Sequence, residues 1–395
     1  DLRAIKGALP FAIATRRAQR KLIIAADNAF EAAMPQDNIV FPATTLLEVC
    51  QHLTQVKRLQ KYDFAIPSAI TDNIETVDIQ DIHGQPHAKR ALEIAAAGRH
   101  SMLLIGPPGT GKTMLASRLP TIMPELTIDE ALEVAAVYSL GQTQISPIKW
   151  RDRPFRTPHH TASAVAMVGG GSRPKPGEIS LAHHGVLFLD ELPEFKRDVL
   201  EVMRQPMEER KVNISRARFS VDYPANFMLV ASMNPCPCGY YNHPEKDCVC
   251  GPGIVQKYLN KISGPLLDRI DLHVEVTPVK LEDLSSKQLA EKSKDIRKRV
   301  MEARFIQEAR FKGQEIHCNA QMSTKQTRES CALDATSQQI LNTAMKRLGL
   351  SARAYERIIR VARTIADLAK SEHIQTEHLA EAIQFRSLDR ESWAA

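Results

Sequence analysis

The sequence predicts an α/β protein in which a parallel sheet has helices on both faces and is followed by a helical C-terminal region. Four short runs have the length and composition of strands, three of them continuously apolar and the fourth alternating. They lie at residues 102–105, 186–189, 228–231 and 273–276. Long helical patterns separate these runs, and such alternation is typical of parallel sheets. From residue 281 the pattern is helical and highly charged, over residues 281–311, 334–348, 352–370 and 375–386.

Length and charge set the first limits on function. The 395-residue chain is long enough for two or three domains. Its 52 Lys and Arg against 46 Asp and Glu give a net charge of +6, which permits contact with nucleic acid without demanding it. No apolar run approaches the roughly 18 residues of a membrane-spanning helix, and no secretory signal is present. We therefore expect a cytoplasmic protein with no membrane partner and, because it begins at Asp1 without a Met, a fragment.

The patterns divide the chain into four parts. Residues 1–56 alternate helical and strand-like pieces, which predicts the last part of a separate α/β unit. Residues 57–80 lack clear periodicity and predict a linker. Residues 81–280 contain these four runs and predict the α/β core, and residues 281–395 predict a helical lid.

A glycine-rich segment between the first apolar run and a helical pattern matches G-x-x-x-x-G-K-[ST]. Glycines let the backbone N–H groups surround phosphates, and the lysine neutralises phosphate charge. The hydroxyl of the last residue can hold Mg²⁺. The segment therefore predicts binding of ATP with Mg²⁺. The predicted nucleotide-binding residues here are Gly106, Pro107, Pro108, Gly109, Thr110, Gly111, Lys112, Thr113 and Met114.

Polar side chains follow two further apolar runs. Asp190 and Glu191 end the run at residues 186–189, and the carboxyl edge of a parallel sheet is where ligands bind. We expect Asp190 to hold Mg²⁺ and Glu191 to act as the general base on the attacking water. Asn234 follows the next run and can orient that water or touch the γ-phosphate.

Several longer segments together resemble the magnesium-chelatase-like AAA+ ATPases, and within them the YifB/ComM group. Besides the phosphate loop, they are residues 81–85 (DIHGQ), 153–160 (RPFRTPHH), 169–171 (GGG), 176–183 (PGEISLAH), 185–195, 234–239 (NPCPCG), 266–271 (LLDRID) and 353–368. The resemblance implies a P-loop AAA+ core at residues 81–280 with a helical lid. It also implies a homo-hexameric, ATP-driven DNA helicase that promotes branch migration during natural transformation, on single-stranded, double-stranded or branched DNA.

The same resemblance assigns roles to residues outside the phosphate loop. Asn234 would be the first sensor, Arg269 the finger that acts on a neighbour's ATP, and Arg353 the second sensor from the lid. His83 and Gln85 would line the adenine pocket. Without the family pattern, a surface salt bridge would be the better interpretation of either arginine.

The first 55 residues resemble the end of a Lon-protease-like domain, which this group carries. In that comparison the catalytic lysine of Lon falls within residues 7–12, which contain no lysine. The resemblance therefore implies no peptidase activity.

Residues 208–221 alternate on both sides of a basic tip, which predicts a β-hairpin. In the resembling ATPases such a hairpin points into the ring channel, where Lys211, Arg216 and Arg218 would contact DNA phosphates. Contacts of this kind are salt-dependent and independent of sequence. A solvated surface hairpin is the alternative.

Four of the seven cysteines lie in two C-x-C pairs, Cys236 with Cys238 and Cys248 with Cys250. Four thiolates at this spacing can close a structural, tetrahedral Zn²⁺ site. Free or buried thiols are the alternative, and His243 is a rival ligand. For His159 and His160 we expect a structural or channel-facing role, because no acidic partner is evident nearby in sequence.

Two other functions compete with a DNA motor. One is a protein-remodelling or magnesium-chelatase ATPase that works with partner subunits. The other is a nucleotide-binding module that does not hydrolyse ATP, and the intact Lys112, Asp190 and Glu191 argue against it.

Overall fold

The structure is a computed structural model, and it describes residues 1–64, 77–141, 150–171, 174–216, 219–241, 243, 245–279 and 290–386. Its strands are β1 (Leu22–Ala25), β2 (Val40–Ala43), β3 (Met102–Ile105), β4 (Phe155–Arg156), β5 (Gly169–Gly170), β6 (Lys175–Pro176), β7 (Val186–Leu189), β8 (Lys211–Arg216), β9 (Phe219–Pro224), β10 (Met228–Met233) and β11 (Leu272–Glu275). The helices of the first two thirds are α1 (Ala8–Arg17), α2 (Ala29–Ala33), α3 (Leu46–Leu53), α4 (Pro86–Gly98), α5 (Lys112–Ile122), α6 (Ile128–Leu140), α7 (Ala164–Val168), α8 (Glu178–Leu181), α9 (Arg197–Val202), α10 (Arg204–Glu209), α11 (Pro252–Leu259) and α12 (Gly264–Leu267). The C-terminal helices are α13 (Ser293–Arg310), α14 (Thr324–Ser330), α15 (Ala335–Arg347), α16 (Ala352–Leu368) and α17 (Thr376–Gln384).

The main sheet of the described residues has five parallel strands in the order β11-β3-β10-β7-β4. The four predicted strands are therefore confirmed as parallel neighbours. The edge strand β4 was not predicted, because two residues are too few to show a periodicity.

Each central strand is buried on both faces, which explains the continuous apolar runs. In β3, Met102 and Leu104 enter one hydrophobic core, while Leu103 and Ile105 enter a second core on the opposite face. The first core also takes in α4 and α5, against which α13 and α16 pack. The C-terminal helices thus share a core with one face of the sheet.

The N-terminal residues form a small unit of their own strands and helices. Strands β1 and β2 pair in parallel beside α1, α2 and α3. Leu9 and Val40 share a core with Leu132 and Val134 of α6, so this unit is packed directly on the α/β core.

Helix boundaries in the C-terminal region match the predicted patterns closely. Helices α15, α16 and α17 begin and end within two residues of the predicted ranges. The helix predicted from residue 281 begins at Ser293, and residues 280–289 lie outside the described part of the chain. Every helix of the described residues is too short or too polar to cross a bilayer.

Candidate nucleotide-binding site

The phosphate-binding loop joins the carboxyl end of β3 to the first turn of α5. Gly106 lies so close to the backbone after β11 that a Cβ atom would sit 2.1 Å from the carbonyl oxygen of Val276. Helix α5 begins at Lys112, so its unpaired N–H groups and positive dipole end face the loop. This is the backbone arrangement that binds phosphate groups.

Lys112 connects the loop to the predicted sensor. The residue is 9% exposed, and Nζ donates to the carbonyl oxygens of Gly106 and Pro107, both at 2.8 Å, and to Oδ1 of Asn234 at 3.1 Å. Burial lowers the pKa of Lys112, and the nearby carboxylates of Asp190 and Glu191 oppose that shift. The structure thus brings the lysine and Asn234 together at one sheet edge.

A group of oxygen-bearing side chains lies beside the loop. Thr113 Oγ1 donates to Asp190 Oδ2 at 2.8 Å, and the Ser232 hydroxyl contacts the other carboxylate oxygen. Hydroxyl and carboxylate oxygens are hard ligands that suit Mg²⁺, so this donor set fits the predicted ion. Ser232 was missed in the sequence, where its signal is a hydroxyl within an otherwise apolar strand.

Glu191 occupies an unusual backbone position directly after β7. Its φ of 54° and ψ of 50° are left-handed, a conformation that costs a non-glycine residue about 1 kcal/mol or more. Its carboxylate is 58% exposed and lies 3.5 Å from Nδ1 of His160. His160 thus has an acidic partner that is distant in sequence, because the pairing of β4 with β7 brings the two residues together.

The residues expected at the adenine pocket also lie near the loop. Gln85 donates from its side-chain amide to the carbonyl oxygen of Thr277, the residue after Val276. Val276 in turn bonds to Ile105 at the base of the loop, with its N–H 2.7 Å from the carbonyl oxygen. His83 lies in the same turn and is exposed.

Arg269 and Arg353 lie elsewhere, in a cavity of about 440 Å³ at the amino edge of the sheet. Ser101, Phe227 and Asp271, the residues that precede β3, β10 and β11, line this cavity. Six arginines line it, namely Arg99, Arg210, Arg269, Arg353, Arg357 and Arg360. The four residues of β3 separate the two edges by about 13 Å at 3.3 Å per residue. Neither arginine is therefore brought to the phosphate loop of its own chain.

Arg269 is held by two contacts, while one N–H group of its guanidinium lacks a hydrogen-bond partner among the described residues. It forms an ion pair with Glu208 and donates to the carbonyl oxygen of Pro265 at 2.6 Å. Its Nε is buried and has no hydrogen-bond partner within the described ranges. Burial lowers the pKa of Arg269, and Glu208 opposes the shift. A guanidinium in this setting is well suited to an incoming anion.

The four cysteines of the C-x-C pairs converge after Asn234. Their sulfurs lie within 4.8 Å of one another, with Cys236 buried and Cys238, Cys248 and Cys250 partly exposed. Nδ1 of His243 instead accepts the N–H groups of Glu245 and Lys246, at 3.0 and 3.1 Å. The rival ligand is thus engaged within its own turn, and the sulfur set fits a Zn²⁺ ion.

A second group of potential metal ligands is a hydrogen-bond network instead. Nε2 of His183 and of His184 lie 3.1 and 2.8 Å from one oxygen of Glu133, and these contacts hold the pKa of that carboxyl well below its ordinary value. Nδ1 of His183 accepts the backbone N–H of Asn226 at 3.0 Å. The neutral ring therefore carries its proton on Nε2, facing Glu133, and has no lone pair there for a metal.

The predicted hairpin is confirmed, with β8 and β9 paired from Lys211 opposite Pro224 to Arg216 opposite Phe219. Lys211 is about half exposed, and its ammonium lies 4.0 Å from Asp222. Arg218 and the side chain of Arg216 lie outside the described residues.

Fold and site together define an α/β nucleotide-binding protein of the P-loop type. Residues 78–284 match the family described as magnesium chelatase, subunit ChlI, and residues 290–386 match the C-terminal family of the same subunit. The chain belongs to this family of AAA+ ATPases, which confirms the resemblance inferred from its motifs.

Two relatives match nearly the whole chain, and a third matches about half of it. Competence protein ComM of Haemophilus influenzae is 46% identical over 393 residues, which is 99% of this chain and 76% of that protein. The protein YifB of Salmonella typhimurium is 45% identical over 397 residues, covering 98% of this chain and 75% of that protein. Lon protease 2 of Bacillus subtilis is 24% identical over 213 residues, 47% of this chain and 38% of that protein.

Proposed function

We propose that this ATPase is a homo-hexameric, cytoplasmic DNA motor that promotes branch migration or strand separation during natural transformation and recombination. ATP hydrolysis by this motor is supported mainly by one observation. Four side chains contact one another in pairs at one edge of the sheet, namely Lys112 with Asn234 and Thr113 with Asp190. The similarity to a protein named for competence supports DNA as the substrate. The basic hairpin β8–β9 supports a contact with its phosphates.

Each residue of the site has a distinct task in hydrolysis. Lys112 and the loop N–H groups bind the β- and γ-phosphates of ATP, and Asn234 orients the γ-phosphate or the water. Thr113 and Asp190 hold Mg²⁺, which neutralises charge on the phosphates. Glu191 accepts the proton of the attacking water.

The arginines enter from a neighbouring subunit. Because Arg269 and Arg353 line one cavity at the opposite edge of the sheet, both serve the nucleotide of the next subunit as finger and second sensor. A ring of such subunits places one subunit's arginine edge against the next one's phosphate-loop edge. Each composite site then depends on two chains.

The cysteine group supplies a structural Zn²⁺ site within this scheme. Four convergent sulfurs leave no open coordination position, which is typical of structural zinc.

The experiment is a steady-state ATPase assay of the purified oligomer with single-stranded and branched DNA, run at two salt concentrations. We expect DNA to stimulate turnover less at the higher salt, and Lys112→Ala to abolish turnover. A chain that hydrolyses ATP without binding DNA or moving a branch would refute the DNA role.

The family description favours one alternative, a magnesium-chelatase-type ATPase that acts with partner subunits. Stimulation of turnover by a protein partner and not by DNA would identify that function.

A further inference from the structure

The segment 234–239 contacts the phosphate loop at both of its ends. At one end Asn234 accepts a hydrogen bond from Lys112 at 3.1 Å. At the other end a Cβ on Gly239, whose φ is +87°, would lie 2.5 Å from Cδ of Pro108. There is thus no room for a side chain at residue 239, and backbone lies directly against the loop that binds phosphate.

The first cysteine pair lies between these two contacts. Cys236 and Cys238 are two and four residues beyond Asn234, and Cys236 is fully buried. The backbone turns at this point, with the N–H of Gly239 bonded to the carbonyl oxygen of Cys236 at 3.0 Å. Any ligand held by these two thiols therefore fixes the backbone that contacts Lys112 and Pro108.

The spacing of the sulfurs suits zinc. Sγ of Cys236 lies 3.3 Å from Sγ of Cys238 and 3.7 Å from Sγ of Cys248, and the last two are 3.6 Å apart. Tetrahedral zinc with Zn–S bonds of 2.3 Å separates its sulfurs by about 3.8 Å. The same separations are well beyond the roughly 2.05 Å of a disulfide bond.

We infer that zinc bound by these four cysteines holds segment 234–239 against the phosphate loop and thereby sets the affinity of this ATPase for nucleotide. The inference rests on the proposed ATP site. The second cysteine pair holds Cys248 against Cys236 and Cys238, so loss of the metal releases the backbone between Asn234 and Gly239. Nucleotide binding then weakens, because the loop has lost the surface against which Pro108 packs.

The experiment measures two quantities on the full chain: zinc per chain by elemental analysis, and the Kd of a fluorescent ATP analogue in excess Mg²⁺. We expect one zinc per chain in the wild type and in Cys50→Ser, whose cysteine is exposed and outside the cluster. We expect no zinc in the double variant Cys238→Ser/Cys248→Ser, with a Kd raised by about tenfold. A zinc-free variant with the wild-type Kd would overturn the inference.

Two further measurements keep the test decisive if that variant fails to fold. Treating the wild type with a chelator selective for zinc over magnesium should raise the Kd, and adding Zn²⁺ back should restore it. Gly239→Ala should keep its zinc yet bind nucleotide about tenfold more weakly, because the new Cβ displaces Pro108. A wild type without zinc, or a chelated chain with unchanged Kd, would refute this role of zinc. A zinc-loaded wild type that binds no nucleotide would instead refute the proposed ATP site.

Discussion

Nδ1 of His160 lies 3.5 Å from Oε2 of Glu191, the proposed general base. The His160 ring is also packed against His159, with centroids 4.1 Å apart, and against the edge of Phe195 at 6.4 Å. Glu191 itself has a left-handed backbone and a mostly exposed carboxylate. The histidine therefore lies where it can orient this carboxylate.

Removing His160 should reduce turnover more than substrate binding. We expect His160→Ala to lower kcat by about tenfold with little change in KM, because the base loses its orientation while Lys112 is untouched. Steady-state ATPase kinetics give both constants. The matched control is His373→Ala, an exposed histidine of the C-terminal region. An unchanged kcat, or a change confined to KM, would show that His160 does not position the base.

Glu191→Gln should separate binding from hydrolysis. We expect nucleotide affinity to remain and kcat to fall by about 10²-fold or more, because a neutral amide cannot take the proton of water. Filter binding and single-turnover hydrolysis measure the two effects. Glu194→Gln is the control, since that nearby carboxylate faces Lys261 at 3.3 Å. Continued turnover in Glu191→Gln would remove this residue from the proposed mechanism.

Mixing of variants tests whether the arginines act on a neighbour. Arg269→Ala and Glu191→Gln should each be nearly inactive, while a mixture of the two should recover turnover. In the mixture some sites combine the intact base of one chain with the intact arginine of the other. A mixture of Arg269→Ala with Arg353→Ala should stay inactive, because every site lacks at least one arginine. Recovery in that second mixture would separate the two arginines, which share one cavity.

Lys211→Ala should weaken DNA binding to the same degree for different sequences. We expect the slope of log K against log salt to decrease in magnitude by about 1, since one phosphate contact is lost. Titrations of labelled single strands at several salt concentrations supply that slope. Lys325→Ala removes an exposed lysine that faces Glu329 in the C-terminal region, and it should leave the slope unaltered. Equal slopes for wild type and Lys211→Ala would place the hairpin outside the DNA contact.

Asp271→Asn should destabilise the fold in a pH-dependent manner. Burial alone would raise the pKa of Asp271, but Arg357 and His100 outweigh it and hold that pKa well below its ordinary value. Because the folded pKa is depressed, the stabilisation is complete above the unfolded pKa of about 3.9 and is lost as pH falls below it. At pH 7 we expect the free energy of unfolding to drop by about 3 kcal/mol.

Urea unfolding at pH 7 and near pH 3 measures that difference. Asp37→Asn serves as the control, because Asp37 is 78% exposed and pairs only at the surface with Arg16. A difference between wild type and Asp271→Asn that does not shrink in acid would contradict the assigned role of the carboxylate.

Local sequence was sufficient for the elements with long or strong patterns. Continuous apolar runs predicted β3, β7 and β10, because a strand buried on both faces is apolar at nearly every position. Alternation predicted the edge strand β11. The spacing G-x-x-x-x-G-K-T, with a strand before it and a helix after it, predicted the phosphate loop. The alternation over residues 208–221 predicted the hairpin, which spans residues 211–224. In each case the structural signal lies within a few consecutive residues.

Relationships between distant residues were decided only by the tertiary structure. The pairing of β4 with β7 placed His160 beside Glu191, although 31 positions separate them in the sequence. The direction of the parallel strands placed Arg269 and Arg353 at the edge opposite Lys112, a result that motif spacing does not contain. Packing likewise brought Gly239 against Pro108. A pattern along the chain reports which face or end of an element a residue occupies, whereas strand order and packing determine which ends meet.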